Sequence, residues 1–270
     1  MPEDVFDTPK PTKLIKYIIN LVDNNKKAIV LDFFSGSGTT ADSIMQLNAE
    51  DDGKRKYILV QLPENLDEGL EKASNDNKTV IKNAINLCES KDVPHELSEI
   101  AKERIRRAGD KIKSEHPDAD IDIGFKVFRT ADTNIKWNSL MDMGQVDMKQ
   151  LEYTPDLVDF MPDANDIDVV YELMLRQRDV ALSETLEQLS DIGSRTYLYA
   201  SSYLVCLETQ ITEELVGKLA ELDPLPIKFI FRDSAFKDDI ALKDETFRRL
   251  KALIEKNAGT NKPTYTVEFI

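Results

Sequence analysis

The feature that most constrains this chain is a glycine-rich segment between a short apolar run and a stretch with helical periodicity. The run AIVLDF at 28–33 is typical of a buried strand in a parallel sheet. The segment FSGSGTT follows at 34–40, and the apolar positions after it recur at helical spacing. A second apolar run, YILVQL at 57–62, completes about 35 residues of strand, loop, helix and strand, the size of one βαβ unit. This order predicts an α/β fold with parallel strands.

The loop itself is suited to a ligand that carries an anionic group. Gly36 and Gly38 lack a Cβ, so the backbone can turn sharply and a ligand can lie against it. Free N–H groups at the start of the next helix favour phosphate or carboxylate, and ligands of parallel sheets bind beyond the carboxyl ends of the strands. With Ala41, the glycines also fit a dinucleotide fingerprint. Because Gln61 stands where an NAD site more often has a carboxylate, NAD is the weaker interpretation.

Composition is that of an ordinary globular protein. The 270 residues include 41% hydrophobic and 31% charged residues, and the net charge is −15. So acidic a balance argues against the whole chain acting as a nucleic-acid clamp, which needs a basic field. No apolar run approaches the roughly 18 residues of a membrane span. Cys88 and Cys206 lie in separate apolar stretches, which predicts reduced core thiols in a cytoplasmic protein.

Further helices and strands are predicted on both sides of an irregular stretch at 134–166. Before it we expect helices at 12–22, with Thr12 as N-cap, at 80–87 and at 97–112, and a strand at 121–129. After it we expect helices at 169–178, 212–221 and 243–256, and strands at 196–199, 203–207, 227–231 and 265–269. This alternation predicts a mostly parallel sheet covered by helices.

Two groups of residues are interpreted as structural rather than functional. The long helix carries a basic face at 102–113, but acidic residues interleave with it, which favours a solvated amphipathic helix over a DNA contact. His95 and His116 have no Cys or His at ligand spacing, so no metal site is predicted.

Several motifs, in order, resemble a known family. FDTPKP at 6–11, LDFFSGSGTTADSIMQLN at 31–48 and KYILVQLPE at 56–64 resemble the permuted class of adenine-N6 DNA methyltransferases. The likeness is closest to the modification subunit of type III restriction–modification systems. YELMLRQ, YLVCLE, ITEEL and DSAFKDD, which begin at residues 171, 203, 211 and 233, resemble the tail of that subunit. The resemblance covers nearly the whole chain and is weakest at about 130–165.

The resemblance implies a fold and a cofactor site. Residues 1–130 are expected to form a partial Rossmann-like, S-adenosylmethionine-dependent methyltransferase sheet, 131–165 an irregular connection, and 166–270 a second, smaller α/β domain with an assembly role. The implied site for S-adenosylmethionine consists of Thr8, Lys10, Pro11, Asp32, Phe34, Gly36, Gly38, Thr39, Thr40 and Gln61. Of these, the first three border the methionine end of the cofactor and Gln61 meets the ribose.

The family's catalytic motif, of the Asp-Pro-Pro-Tyr type, is absent from the sequence. The nearest match, Asp223-Pro224-Leu225-Pro226, lacks the second proline and the aromatic ring. In the permuted class that motif and the target-recognition domain precede TPKP, so we expect the C-terminal part of a longer protein. Such a part contains no catalytic residue, is inactive alone, and transfers methyl groups to adenine when the missing N-terminal half completes it. One sheet edge is then left unpaired.

The resemblance also implies partners, and one alternative stays open. We expect a homodimer and a restriction helicase–nuclease subunit as partner. DNA is expected to bind only to the full-length subunit, and no contact with a membrane is expected. The alternative is a non-catalytic assembly module with a vestigial cofactor loop.

Overall fold

The computed structural model describes residues 4–6, 8–23, 25–137, 156–237, 239–259 and 263–270. The chain divides into two compact units, Met1–Phe125 and Lys126–Ile270. The α/β class predicted from the sequence is confirmed in both. The three-part domain division stays a prediction, and most of its connecting region, 138–155, lies outside the described residues.

The first unit contains the predicted strand, loop, helix and strand. Its elements are α1 (Thr12–Val22), β1 (Ile29–Asp32), α2 (Thr39–Asp51), β2 (Lys56–Leu59), α3 (Leu66–Lys72), α4 (Asn75–Ser90) and α5 (Leu97–Glu115). β1 and β2 pair in parallel, with Ile29 opposite Lys56 and Asp32 opposite Leu59. The parallel pairing inferred from the two apolar runs is therefore confirmed.

The core of the first unit lies on one side of this sheet, around α2. Ala41 and Met45 of α2 pack against Ile105 of α5, and Ile44 packs against Ile19 of α1. The inward residues of the strands, such as Val30, contact the same clusters. Helix α2 is thus held between α1, α5 and the sheet, which fixes the direction of the loop before it.

The other side of the two strands is open, which corrects an expectation. Both runs were predicted to be buried, but Ile29 is 65% exposed, Leu31 46%, Ile58 51% and Val60 45%. Among the described residues nothing covers this face. The sequence is apolar on both faces of the strands, as in a parallel sheet that is covered on both sides.

Two further predictions in the first unit are wrong. Thr12 is the first residue of α1 rather than its N-cap, which is Pro11. Residues 121–129 belong to no strand. Their alternation has another cause, because Ile121, Ile123 and Phe125 pack on the cluster formed by α2 and α5.

The second unit is built around a sheet with helices on both sides. Its elements are α6 (Asp156–Asp159), α7 (Asp166–Gln177), β3 (Leu186–Gln188), β4 (Thr196–Tyr199), β5 (Tyr203–Cys206), α8 (Glu213–Ala220), β6 (Lys228–Phe231), a 3-10 turn (Asp233–Phe236), α9 (Ile240–Ala258) and β7 (Thr266–Phe269). Residues from α7 fill one core cluster, and residues from α8 and α9 fill another. Leu204 and Val205 of β5 are fully buried, each in a different cluster.

The sheet of the second unit is mixed rather than mostly parallel. Its order is β3-β4-β5-β6-β7 among the described residues; β3, β4 and β5 pair antiparallel, and β5, β6 and β7 pair parallel. The reason is the short connection between β4 and β5, where Ala200 and Ser201 adopt positive φ. Strands joined by so tight a turn must run antiparallel.

Candidate functional site

The glycine-rich segment forms a turn that leads from the end of β1 into the start of α2. Gly36 has φ +50° and Gly38 has φ +75°, both in the left-handed region that favours glycine. Gly38 is the N-cap of α2, so the amides of the first helical turn face the loop. The predicted strand, turn and helix are confirmed, with the turn at the carboxyl end of a parallel strand.

Asp32, the last residue of β1, holds both ends of the turn. One carboxylate oxygen accepts a hydrogen bond from the Phe34 N–H at 3.1 Å, and the other accepts from the Thr40 hydroxyl at 2.6 Å. The side chain that the resemblance assigns to the cofactor pocket therefore also fixes the shape of the loop.

Gln61 closes the turn from the side of β2. Its side-chain oxygen accepts the Gly36 N–H at 2.8 Å, and its amide nitrogen donates to the Leu62 carbonyl at 3.2 Å. The Ser35 N–H donates to the Val60 carbonyl at 3.2 Å. The residues that follow β2 thus line the loop, and Gln61 supports its backbone.

The segment before α1 approaches the same turn. A Cβ built on Gly36 would lie 3.0 Å from Cζ of Phe6, so the Phe6 ring lies against this glycine. Thr8, Lys10 and Pro11 follow in the segment and are exposed. The Thr12 carbonyl, at the start of α1, accepts a hydrogen bond from Ser43 of α2 at 3.4 Å.

The predicted cofactor residues differ in their exposure. Phe34, the first residue of the turn, is 90% exposed, whereas Gly38, Thr39 and Thr40 are buried. Asp32, Gly36 and Gln61 are half-buried and lie together through the hydrogen bonds described above. Their role in cofactor binding stays a prediction, but the loop around them is fully formed.

A groove of about 720 Å³ opens beside the loop on the side of α5. Phe6, Pro9 and Ser37 line it, together with charged residues of α2 and α5 such as Arg104. Asp32, Phe34 and Gln61 do not line this groove.

The basic face of α5 is occupied by contacts within the unit. Lys102 pairs with Glu99 at 2.5 Å, Arg107 with Glu103 at 2.7 Å, and Lys111 with Glu115 at 3.8 Å. Lys111 and Glu115 are exposed, but Glu99 and Glu103 are buried, so the face is only partly solvated, which corrects the prediction of a solvated helix face. Arg104 differs, because its guanidinium contacts the glycine-rich loop. The sequence placed Arg104 on the basic face but contains no local signal for this contact, which joins positions 67 residues apart.

Metal ligands, free thiols and membrane-spanning helices are three further features that the described residues allow us to examine. Within it, no group of three or more His, Cys, Asp or Glu residues is arranged to hold a metal ion. Cys88 and Cys206 are free and buried, as predicted, and burial raises the pKa of both thiols, that of Cys206 to about 11. No helix of the described residues is long and apolar enough to cross a membrane.

Comparisons with known proteins agree with the motifs. Residues 2–72 match the DNA methylase family of N6 and N4 methyltransferases. The chain is 42% identical over 129 residues to the Mod subunit of the type III restriction–modification enzyme StyLTI of Salmonella typhimurium, which covers 48% of this chain and 17% of that protein. It is 37% identical over 128 residues to the EcoPI Mod subunit of Escherichia phage P1, covering 47% and 17%. Over 57 residues it is 51% identical to the type II methyltransferase M.KpnI of Klebsiella pneumoniae, covering 21% and 13%.

These matches confirm the resemblance to type III modification subunits predicted from the motifs. The chain spans about a sixth of the length of the two Mod subunits, 17% in each case.

Proposed function

We propose that residues 1–125 supply the cofactor-binding part of an S-adenosylmethionine-dependent, adenine-N6 DNA methyltransferase, the modification subunit of a type III restriction–modification system. The observation that carries this proposal is the strand, double-glycine turn and helix at 29–51, which lies inside the stretch that matches the DNA methylase family. The turn ends a parallel strand, where α/β sheets bind their ligands.

The chemistry of the turn fits S-adenosylmethionine. The first amides of α2, from Thr39 onward, have no carbonyl one turn earlier within the helix and favour the carboxylate of the methionine end. Asp32 is an acceptor with lone pairs left for an ammonium group, because each oxygen accepts only one of the hydrogen bonds described. Thr8, Lys10 and Pro11 would border this end. When bound, the cofactor supplies an electrophilic methyl group.

The other predicted residues would hold the nucleoside part. Phe34, which is exposed at the start of the turn, offers a ring face for the adenine. The Gln61 amide would hydrogen-bond the ribose hydroxyls, and its oxygen meanwhile supports the Gly36 N–H. Gly36 and Gly38 would let the backbone approach the ligand.

Methyl transfer requires groups that this sequence does not contain. An Asp-Pro-Pro-Tyr type motif holds the exocyclic amine of a flipped adenine and stacks on its ring, and the sequence has no such tetrapeptide. We propose that a preceding half of the methyltransferase provides it and covers the open face of the first sheet. Ile29, Leu31, Ile58 and Val60 offer that half an apolar surface.

DNA, a restriction subunit and a second modification subunit are proposed as partners of the completed protein. The net charge of −15 and the paired cations of α5 give this chain little surface for phosphates. We therefore expect no sequence-specific binding to duplex DNA by residues 1–270 alone at physiological salt. A sub-micromolar, sequence-dependent gel shift would contradict this.

The alternative is an assembly module in which the loop is vestigial, and the open apolar face of the first sheet also suits this role. Binding of S-adenosylmethionine distinguishes the two functions, because a vestigial loop is not expected to bind the cofactor.

The test is calorimetric titration of the whole chain with S-adenosylmethionine. Gly38→Ala places a side chain at φ +75°, where its Cβ would lie 3.2 Å from Ile105. We expect binding to the unaltered chain and an affinity about tenfold lower for Gly38→Ala, since such strain costs about 1–3 kcal/mol. Gly69→Ala is the matched control, because a Cβ on Gly69 has no atom within 4 Å. Absence of binding by the unaltered chain would favour the assembly module.

A methyl-transfer assay tests the requirement for completion. The chain alone, with labelled S-adenosylmethionine and duplex DNA, is expected to transfer no methyl groups. Adding a polypeptide that carries the Asp-Pro-Pro-Tyr half of a type III modification subunit is expected to restore transfer. Adenine methylation by the chain alone would show that the missing motif is not required.

A further inference from the structure

We propose that Arg104 of α5 is a positioning residue for the cofactor loop: its guanidinium fixes the side of the loop that packs on α5. This inference rests on the proposed function for its link to S-adenosylmethionine. The contacts that carry it belong to the first unit alone.

The Arg104 side chain bonds the loop and the first turn of α2 at once. Nη1 donates to the Ser37 hydroxyl at 2.8 Å and to the Thr39 hydroxyl at 2.9 Å, and Nη2 pairs with the Asp42 carboxylate at 3.2 Å. The two hydroxyl oxygens are themselves 3.1 Å apart. One planar, rigid group therefore ties the turn to the helix that it opens.

Burial makes these bonds effective. Ser37 is 3% exposed and Thr39 5%, and the Arg104 side chain is 17% exposed. Hydrogen bonds from a charged donor are stronger than neutral ones, and limited access of water strengthens them further. The hydroxyls of Ser37 and Thr39 are thus held in one orientation instead of exchanging with solvent.

The charge of Arg104 is placed against the usual preference of a helix. A cation at the amino end of a helix opposes the helix dipole, and Asp42 in the first turn offsets this cost. Because Asp42 balances the charge of Arg104, the free amides at the start of α2 provide the positive end that favours an anionic group such as the carboxylate of S-adenosylmethionine.

The packing of α5 explains why Arg104 reaches the loop. A Cβ on Gly38 would lie 3.2 Å from Ile105 and 3.3 Å from the Ala101 carbonyl, so α5 lies directly on this glycine. Gln61 supports the turn from the β2 side, and Arg104 supports it from the α5 side. Contacts from both sides hold the loop in one conformation, which lowers the cost of ordering it on binding.

The experiment measures backbone hydrogen exchange of residues 33–41 in the whole chain without ligand, and then the affinity for S-adenosylmethionine. Arg104→Gln is expected to speed exchange in this segment and weaken binding, each about tenfold, because charge-assisted bonds are lost. Arg106→Gln is the control; Arg106 lies on the same helix, 5.6 Å over the Phe125 ring, and is expected to change neither.

Arg104→Lys separates positioning from charge. A lysine keeps the positive charge but lacks the planar guanidinium, whose two terminal nitrogens bond the loop and Asp42. It is therefore expected to recover less than half of the lost protection of residues 33–41. Full recovery by Lys would assign Arg104 a purely electrostatic role and overturn the proposal.

A second variant keeps the test decisive if Arg104→Gln fails to fold. Ser37→Ala removes one acceptor of the guanidinium and is expected to speed exchange at 33–41 about threefold, since a single hydrogen bond is lost. Ser98→Ala is its control, because the Ser98 hydroxyl bonds Glu96 at 3.2 Å. If Arg104→Gln and Ser37→Ala match their controls in exchange, the proposal is wrong. If exchange changes as expected but the unaltered chain does not bind S-adenosylmethionine, only the proposed function fails.

Discussion

In Lys126–Ile270, helices lie on both faces of a five-stranded sheet, whereas in Met1–Phe125 helices cover one face of a two-stranded sheet, as far as the described residues show. Leu204 and Leu31 illustrate the contrast. Both are strand leucines, but Leu204 is fully buried and Leu31 is 46% exposed. The difference separates a unit with a closed core from a unit with an open apolar layer.

The open layer lies in the unit that carries the glycine-rich turn. A parallel sheet is normally covered on both faces, whereas Ile29, Leu31, Ile58 and Val60 are exposed. The turn at the end of β1 is nevertheless complete, with Asp32, Gln61 and Arg104 holding it. The local geometry of the loop therefore does not depend on a layer over this face.

The largest expected effect concerns a buried charge in the closed unit. Arg232 is fully buried, with its guanidinium 2.5 Å from the carboxylates of both Asp156 and Asp159. Arg232→Ala is expected to lower the free energy of unfolding by about 3–5 kcal/mol, because it leaves the carboxylate of Asp159, which is 10% exposed, without its cation. Arg249→Ala, which breaks an exposed pair with Glu213, is expected to cost less than about 1 kcal/mol. Urea denaturation measures both, and equal effects would contradict the closed core.

A matched pair of leucines gives the next largest effect and compares the two sheets directly. Leu204→Ala is expected to cost about 2–5 kcal/mol, the range for buried leucines. Leu31→Ala should cost less than about 1 kcal/mol, because much of its side chain already contacts water. Chemical denaturation of each variant provides the measurement. A similar loss at both positions would mean that the first sheet is covered in solution.

Substitutions on the open face of the first sheet are expected to change self-association more than they change the free energy of unfolding. Replacing Leu31 and Ile58 together by Thr is expected to reduce binding of a hydrophobic dye and self-association at high concentration, because large exposed apolar patches drive both. Stability should change by less than about 1 kcal/mol. The matched control replaces Ile240 by Thr, a single residue in the second unit that is 82% exposed. Unchanged dye binding in the double variant would show that this face is not the apolar surface in solution.

The smallest effect concerns the two thiols. Burial raises the pKa of Cys88, and that of Cys206 to about 11, so both are neutral near pH 8. Because the pKa of each thiol is higher in the folded than in the unfolded state, burial of the neutral thiol contributes to stability. That contribution is complete below the unfolded pKa of about 8.5 and is lost as the pH rises through the folded pKa. We expect slow alkylation of both thiols at pH 8, with Cys206 the slower, and fast alkylation in urea. Rapid native labelling of Cys206 would show that the second core opens readily.

Much of the architecture followed from local patterns in the sequence. The turn at 34–40 and helices α1 and α5 were predicted close to their observed bounds, and α2 was predicted to follow the turn, because apolar spacing and glycine position decide them. The three-residue strand β3 was not predicted, because Leu186–Gln188 is too short to show alternation. The alternation at 121–129 correctly indicated that Ile121, Ile123 and Phe125 face the core, but the segment pairs with no strand of the described residues.

What the sequence could not provide depends on contacts between distant positions. An apolar run such as that of β1 has the same pattern whether one face of the strand is open or covered, so the exposure of Ile29 was not predictable. The support of Gly36 by Gln61 joins positions 25 residues apart, and the contact of Arg104 with Ser37 joins positions 67 apart. No spacing rule covers such pairs.

The measurement that tests the central claim most directly is a titration of the ¹⁵N-labelled chain with S-adenosylmethionine, followed by amide resonances. The account predicts shifts in the amides of 32–41 and of Gln61 in the first unit, and none in β5 or β6 of the second. Absence of shifts at the turn, or shifts confined to the second unit, would contradict the claim that the open unit carries the cofactor site.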